Sequence, residues 1–184
     1  MKTIYIEGTT DTDNGNLREA FSLLLEQELK GNMPRIIMGD GKNQTIDKFH
    51  GTPLKKEEKR FLLFDSDEPN PDKAKVCADF NDAKPNRKID ATEENTFLMI
   101  QEVEAWLLSQ PNVLAAAGIN MSKFGVVDVE SINKPSEKLA ELYKHSGKIY
   151  SKVNEFVKVF PKLDSSQLKQ SCLEYKALIE ALKQ

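Results

Sequence analysis

"RFLLFDSDEP", residues Arg60 to Pro69, decides how the chain folds. Phe61, Leu62, Leu63 and Phe64 are four apolar residues in succession, so a strand built from them turns apolar side chains to both of its faces. Such a strand belongs in a sheet covered on both sides, the parallel sheet of an α/β protein, rather than in a half-solvated antiparallel one. The run then ends in Asp65, Ser66, Asp67 and Glu68. Three carboxylates that close repel one another unless water or a cation lies between them.

Nearer the N-terminus, the β-branched and aromatic residues Thr3, Ile4, Tyr5 and Ile6 predict a strand over 2–6 that stops at Glu7-Gly8. Past a polar loop, Leu17, Ala20, Phe21, Leu24 and Leu29 recur at helical spacing and halt at Gly31-Asn32. A second short strand over 34–38 closes on Gly39-Asp40-Gly41, and a weak helix is expected near 45–49. The strand at 60–64 is the third. A helix over 72–81, a polar loop over 82–95, a fourth strand over 96–100 and a helix starting at 103–108 follow.

From Ser136 onward only helices are predicted, over 137–144, over 148–160, and from Asp164 to the end. The last is opened by Asp164 with Gln167 in a capping-box arrangement and striped by Leu168, Cys172, Tyr175, Ile179 and Leu182. The fold class is therefore α/β: a mostly parallel sheet of about four strands flanked by helices, over 1–115. A helical extension over 116–184 packs on it, the two forming one structural unit.

The 184 residues carry a net charge of -3, with 30% charged and 39% apolar residues, which excludes a disordered or membrane-embedded composition. No run reaches the roughly 18 apolar residues of a membrane span, so no membrane partner and a cytoplasmic location are expected. Cys77 and Cys172 lie far from each other and from His50 and His145, which argues against zinc. Tight nucleic-acid binding normally needs a basic stripe, so any such binding by this chain alone is expected to be weak.

In an open parallel sheet, ligands bind beyond the carboxyl ends of the strands. Acidic residues gather there: Glu7 after the first strand, Asp65 and Asp67 after the third, Glu102 and Glu104 after the fourth. If the backbone stays extended, Asp65 and Asp67 point to one side and can share a cation. Oxygen donors without His or Cys favour Mg2+ or Mn2+ over softer metals, and with them phosphoryl transfer or phosphodiester cleavage. The plainer reading gives Glu102 and Glu104 the role of complementing a helix dipole and makes Gly39-Asp40-Gly41-Lys42 a simple turn at the rim.

The chain also resembles a known group. A strand ending in Glu7-Gly8 and a later one ending in Asp65-x-Asp67 look like the TOPRIM domain of topoisomerases, primases and OLD-type nucleases. "IEGTTD" (6–11), "FDSDEP" (64–69), "MIQEVEAWLLSQP" (99–111), "VESINKPSEKL" (129–139) and "YSKV" (150–153) look like the TOPRIM-related bacterial family named domain of unknown function 4276. The resemblance implies a TOPRIM-like fold. It implies that Glu7 acts as general acid or base and that Asp65 and Asp67 serve catalysis by holding magnesium. Glu102 and Glu104 become candidates for a second metal, with Asp11 standing where nuclease relatives carry a second glutamate.

Lys138 and Lys152 become candidate phosphate contacts, although Glu137 stands where a basic residue is usual. The implied function is a metal-dependent nuclease, the effector of a bacterial defence system working with an ATPase partner that helps hold the nucleic acid. The alternative is a non-catalytic module of the same fold that docks to a partner protein. A phosphatase of the haloacid dehalogenase type fits less well, because its Asp-x-Asp normally ends the first strand.

Overall fold

In the computed structural model, which describes residues 1–8, 17–53, 55–125 and 128–184, the apolar run forms the strand β3 (Lys59–Asp65). It lies beside β1 (Lys2–Glu7) in a four-stranded sheet of order β2-β1-β3-β4, with β2 spanning Arg35–Gly39 and β4 Thr96–Met99. All three pairings are parallel, with Ile6 opposite Leu63 and Asp65 opposite Met99. The fold is α/β, as the sequence predicts.

The helices α1 (Leu17–Leu29), α2 (Lys42–Gly51) and α3 (Lys73–Ala83) connect the strands. The connection from β1 to β2 runs one way across the sheet and the next two run the other way. Right-handed crossovers in opposite directions put their helices on opposite faces. Accordingly Ile4, Ile6, Phe61 and Leu63 share one core with Phe21, Leu24 and Leu25 of α1, whereas Tyr5, Leu62 and Phe64 share the other with Ile46 and Phe49 of α2 and Cys77 of α3. This is why β3 is apolar at every position between Phe61 and Phe64.

The α1 side is completed by α4 (Glu104–Leu108), α5 (Pro111–Ala116), α6 (Pro135–His145), α7 (Val157–Val159), α8 (Ser165–Ser171) and α9 (Leu173–Lys183). Trp106, fully buried, joins these layers: its ring meets Phe21 of α1 and Tyr175 of α9 edge-on and stacks on Phe160. At the outer edge of β4, Leu98 N–H donates to Glu174 of α9 (3.2 Å), and Lys73 pairs with the same carboxylate at 2.9 Å. A strand edge that would otherwise be open is thus covered.

Two C-terminal stretches differ from the expected helices. The helix expected over 148–160 begins only at Lys152, as a π-turn to Phe156, because Ser151 is extended and its side chain caps Asn154 N–H. The final stripe is broken at Cys172, whose extended backbone ends α8 and starts α9, although the buried face continues through both. The helix α5 carries too little apolar periodicity to stand out in sequence.

At Gly39, where β2 meets α2, an added Cβ would lie 2.1 Å from Thr45 Oγ1 and 2.6 Å from the Thr45 backbone. Since that backbone cannot yield without moving α2, Gly39→Ala is expected to lower stability by about 2–3 kcal/mol in chemical denaturation. An unchanged midpoint would show that α2 shifts freely.

Candidate active site

β1 leaves toward one edge of the sheet and β3 toward the other, so the crevice between their carboxyl ends is the topological switch point where open α/β sheets bind ligands. Glu7 ends β1 and Asp65 ends β3. The backbone N–H of Asp65 donates to Glu7 Oε2 at 3.1 Å, locking the two carboxylates side by side. A cleft of about 290 Å³ opens over them, lined by both and by Gly8, Asp40, Gly41 and Lys152, with Phe21 and Val103 among its apolar walls.

Asp65 is only 9% exposed. Its Oδ1 accepts from the N–H of Val103 at 2.9 Å, and Lys152 Nζ stands 3.7 Å from Oδ2. Burial pushes its carboxyl up to about 7, with Glu7 and Glu104 adding to the rise and Lys152 and the Val103 N–H opposing it. Burial likewise raises Glu7, against the pull of the Asp65 N–H and Lys42, while Asp67 adds to the rise.

Glu104 is fully buried. Its carboxylate accepts from Tyr150 Oη at 2.9 Å and from Lys152 Nζ at 3.3 Å. Although burial works against its charge, Glu104 and Asp65 hold the Lys152 ammonium protonated above the usual lysine range. Glu7, Asp65 and Glu104, which follow β1, β3 and β4, are therefore linked at one end of the sheet, and Lys152 joins them.

The other expected site residues go elsewhere. β3 stops at Asp65, and Asp67 takes a left-handed conformation (φ 62°), so the extended alternation that would aim both aspartates one way is lost. The Asp67 side chain is 70% exposed and ion-paired with Lys42 at the start of α2. Glu102 Oε2 accepts from Ser136 N–H at 2.7 Å and so caps α6, a helix remote in sequence from its own. Lys138 pairs with Glu141 along α6 at 2.8 Å. Asp11 lies outside the described residues.

Gln101, buried and with φ 59°, was not singled out in the sequence, yet it ties the rim together. Its side chain binds the carbonyls of Glu130 and Ile132 and the N–H of Lys134, while its backbone bonds to Ser66 Oγ and to Asp67 N–H. A glutamine beside an acidic pair has no signal in a single sequence. The Gly39-Asp40-Gly41 turn lies at the rim, with Asp40 and Gly41 lining the cleft, whereas Tyr150 has no role assigned from sequence because its partner Glu104 lies 46 residues away.

Among the described residues, no three His, Cys, Asp or Glu side chains group as ligands around one point. Magnesium asks for less: it keeps several waters and is held by one or two carboxylates together with substrate phosphate. Two hard carboxylates, both raised in pKa by being buried together on a cleft wall, fit such a cation, which would relieve the strain that raises them. Among the described residues, no helix is long and apolar enough to cross a membrane.

Residues 6–183 match the family model described as a domain of unknown function (DUF4276). No curated protein and no solved structure matches the chain.

Proposed function

Given that the chain belongs to the DUF4276 family, we propose that it is a Mg2+- or Mn2+-dependent phosphodiester-cleaving protein related to the TOPRIM nucleases, working with an ATPase partner in a bacterial defence setting. The observation that carries this reading is the Glu7–Asp65 pair, locked by the 3.1 Å bond from Asp65 N–H and facing a cleft at the switch point of the sheet. A divalent ion held there by Glu7 and Asp65 would neutralise charge building up on the phosphate and lower the pKa of an attacking water.

The chain's own residues supply the rest. Glu7, its Oε2 held by the Asp65 N–H, is fixed on the cleft wall beside Asp65, where the two carboxylates would hold the ion. Val103 N–H fixes the Asp65 carboxylate at Oδ1 and leaves Oδ2 toward Lys152 and the cleft. Lys152, whose side chain is half exposed, offers its ammonium to a phosphate oxygen. The apolar wall of Phe21 and Val103 keeps bulk water from one side of the cleft. The net charge of -3 leaves nucleic-acid affinity to a partner.

The exposed, Lys42-paired Asp67 and the helix-capping Glu102 favour a second reading, in which the acidic rim serves structure and the chain docks to another protein. Calorimetric titration with Mg2+ and Mn2+ separates the two. The enzyme reading expects saturable binding that Glu7→Gln weakens at least tenfold, whereas a docking module shows no binding that depends on Glu7.

A further inference from the structure

Lys152 occupies an unusual place for a surface lysine. Its Nζ lies 3.3 Å from Glu104 Oε2 and 3.7 Å from Asp65 Oδ2, joining the carboxylate after β4 to the one after β3. Glu104 cannot turn to solvent: it is fully buried, and its second oxygen is held by Tyr150 Oη at 2.9 Å. A carboxylate so enclosed depends on the Lys152 ammonium beside it, because taking one partner from a buried pair is strongly unfavourable. The other acidic residue after β4, Glu102, is engaged at the start of α6.

We propose that Lys152, braced by Glu104 and Tyr150, is the built-in second cation of this cleft, so that the site takes one divalent ion and not two. The inference rests on reading Glu7 and Asp65 as the metal-holding pair. Two-metal sites set their ions about 4 Å apart to clamp both the attacking and the leaving oxygen. Here the position between Asp65 and Glu104, where a second ion would find its carboxylates, already holds an ammonium. An ammonium is a compact point charge with three donors. With one donor bound to Glu104 and the charge 3.7 Å from Asp65, a further donor can meet a phosphate oxygen, doing the charge-neutralising part of a second metal without its water-activating part.

Equilibrium dialysis of the full chain with Mn2+ at pH 7.5, read together with electron paramagnetic resonance, tests this. One Mn2+ per chain with the spectrum of an isolated ion is expected. Two ions with an exchange-coupled spectrum would overturn the role of Lys152 while leaving the phosphodiester-cleaving reading intact, and no bound ion would overturn both. In Lys152→Met the single ion should bind about tenfold more tightly, since a unit charge no longer repels it, and Lys152→Arg should restore the weaker affinity. Unchanged or weaker binding in Lys152→Met would also overturn the proposal. Tyr150→Phe, which leaves Lys152 against Glu104, should keep the one-ion stoichiometry, and a second ion in that variant would overturn the proposal.

Discussion

Asp65→Asn is expected to abolish metal-dependent cleavage, by 10³-fold or more, and at the same time to make the metal-free protein more stable at pH 8. Both effects come from one carboxylate. Asparagine keeps an oxygen for the Val103 N–H, so the local backbone has no reason to move. What disappears is a charge buried beside Glu7 and Glu104. A carboxyl shifted from 3.8 to about 7 corresponds to roughly 4 kcal/mol of disfavoured ionisation. Because Lys152 also loses a partner, a gain of about 2–4 kcal/mol is expected at pH 8.

The pH dependence has a definite direction. The folded chain keeps a proton on Asp65 that the unfolded chain releases above its ordinary value of 3.8. The stability this group contributes is therefore complete below that value and is lost as pH rises through about 7. Denaturant midpoints of wild type and Asp65→Asn should diverge progressively between about pH 4 and pH 7 and then run parallel. For the same reason Mg2+ or Mn2+ should raise the wild-type melting temperature more at pH 8 than at pH 6, because ligation needs the ionised carboxylate. Midpoints that differ equally at every pH would mean that the charge at Asp65 is not the cause. Stability given up at one site for its chemistry is a familiar exchange in enzymes.

The second large effect lies in the core. Trp106→Ala is expected to cost about 3–5 kcal/mol, measured by chemical denaturation. The indole is fully buried and contacts Phe21, Phe160 and Tyr175, so its loss would leave a cavity bounded by α1, α9 and the segment before α8. α1 and α9 both pack on the sheet and cannot close over the space without moving off it. Trp106 also lies two residues past Glu104, and the cavity is therefore expected to loosen the Glu104–Tyr150–Lys152 contacts as well. A cost below about 1 kcal/mol would mean that the C-terminal helices are not packed as a unit with α1.

Much of this could be read from sequence because it depends on local pattern. The runs at Thr3 to Ile6 and Phe61 to Phe64, and the stripe of α1, are each dictated by burial on the faces of a parallel sheet. The gathering of Glu7 and Asp65 followed from strand ends alone. Asp67 did not follow, because i, i+2 alternation holds only while the strand lasts and β3 ends two residues too soon. Glu102 and Glu104 look alike in sequence, yet one caps a helix more than thirty residues away and the other anchors Lys152. Those partners, like the bonds of Gln101, are set by how α6 and the stretch around Tyr150 return to the sheet, and long-range docking leaves no local signature.

The most direct test of the Glu7–Asp65 cleft as a phosphodiester-cleaving site is a cleavage assay on DNA and RNA substrates. It is run with Mn2+ or Mg2+ against a chelator, with and without an associated ATPase, comparing wild type with Asp65→Asn. Cleavage that needs the metal and disappears in the folded Asp65→Asn variant is the expected result. Cleavage that persists in Asp65→Asn, or an absence of cleavage under every condition, would contradict it.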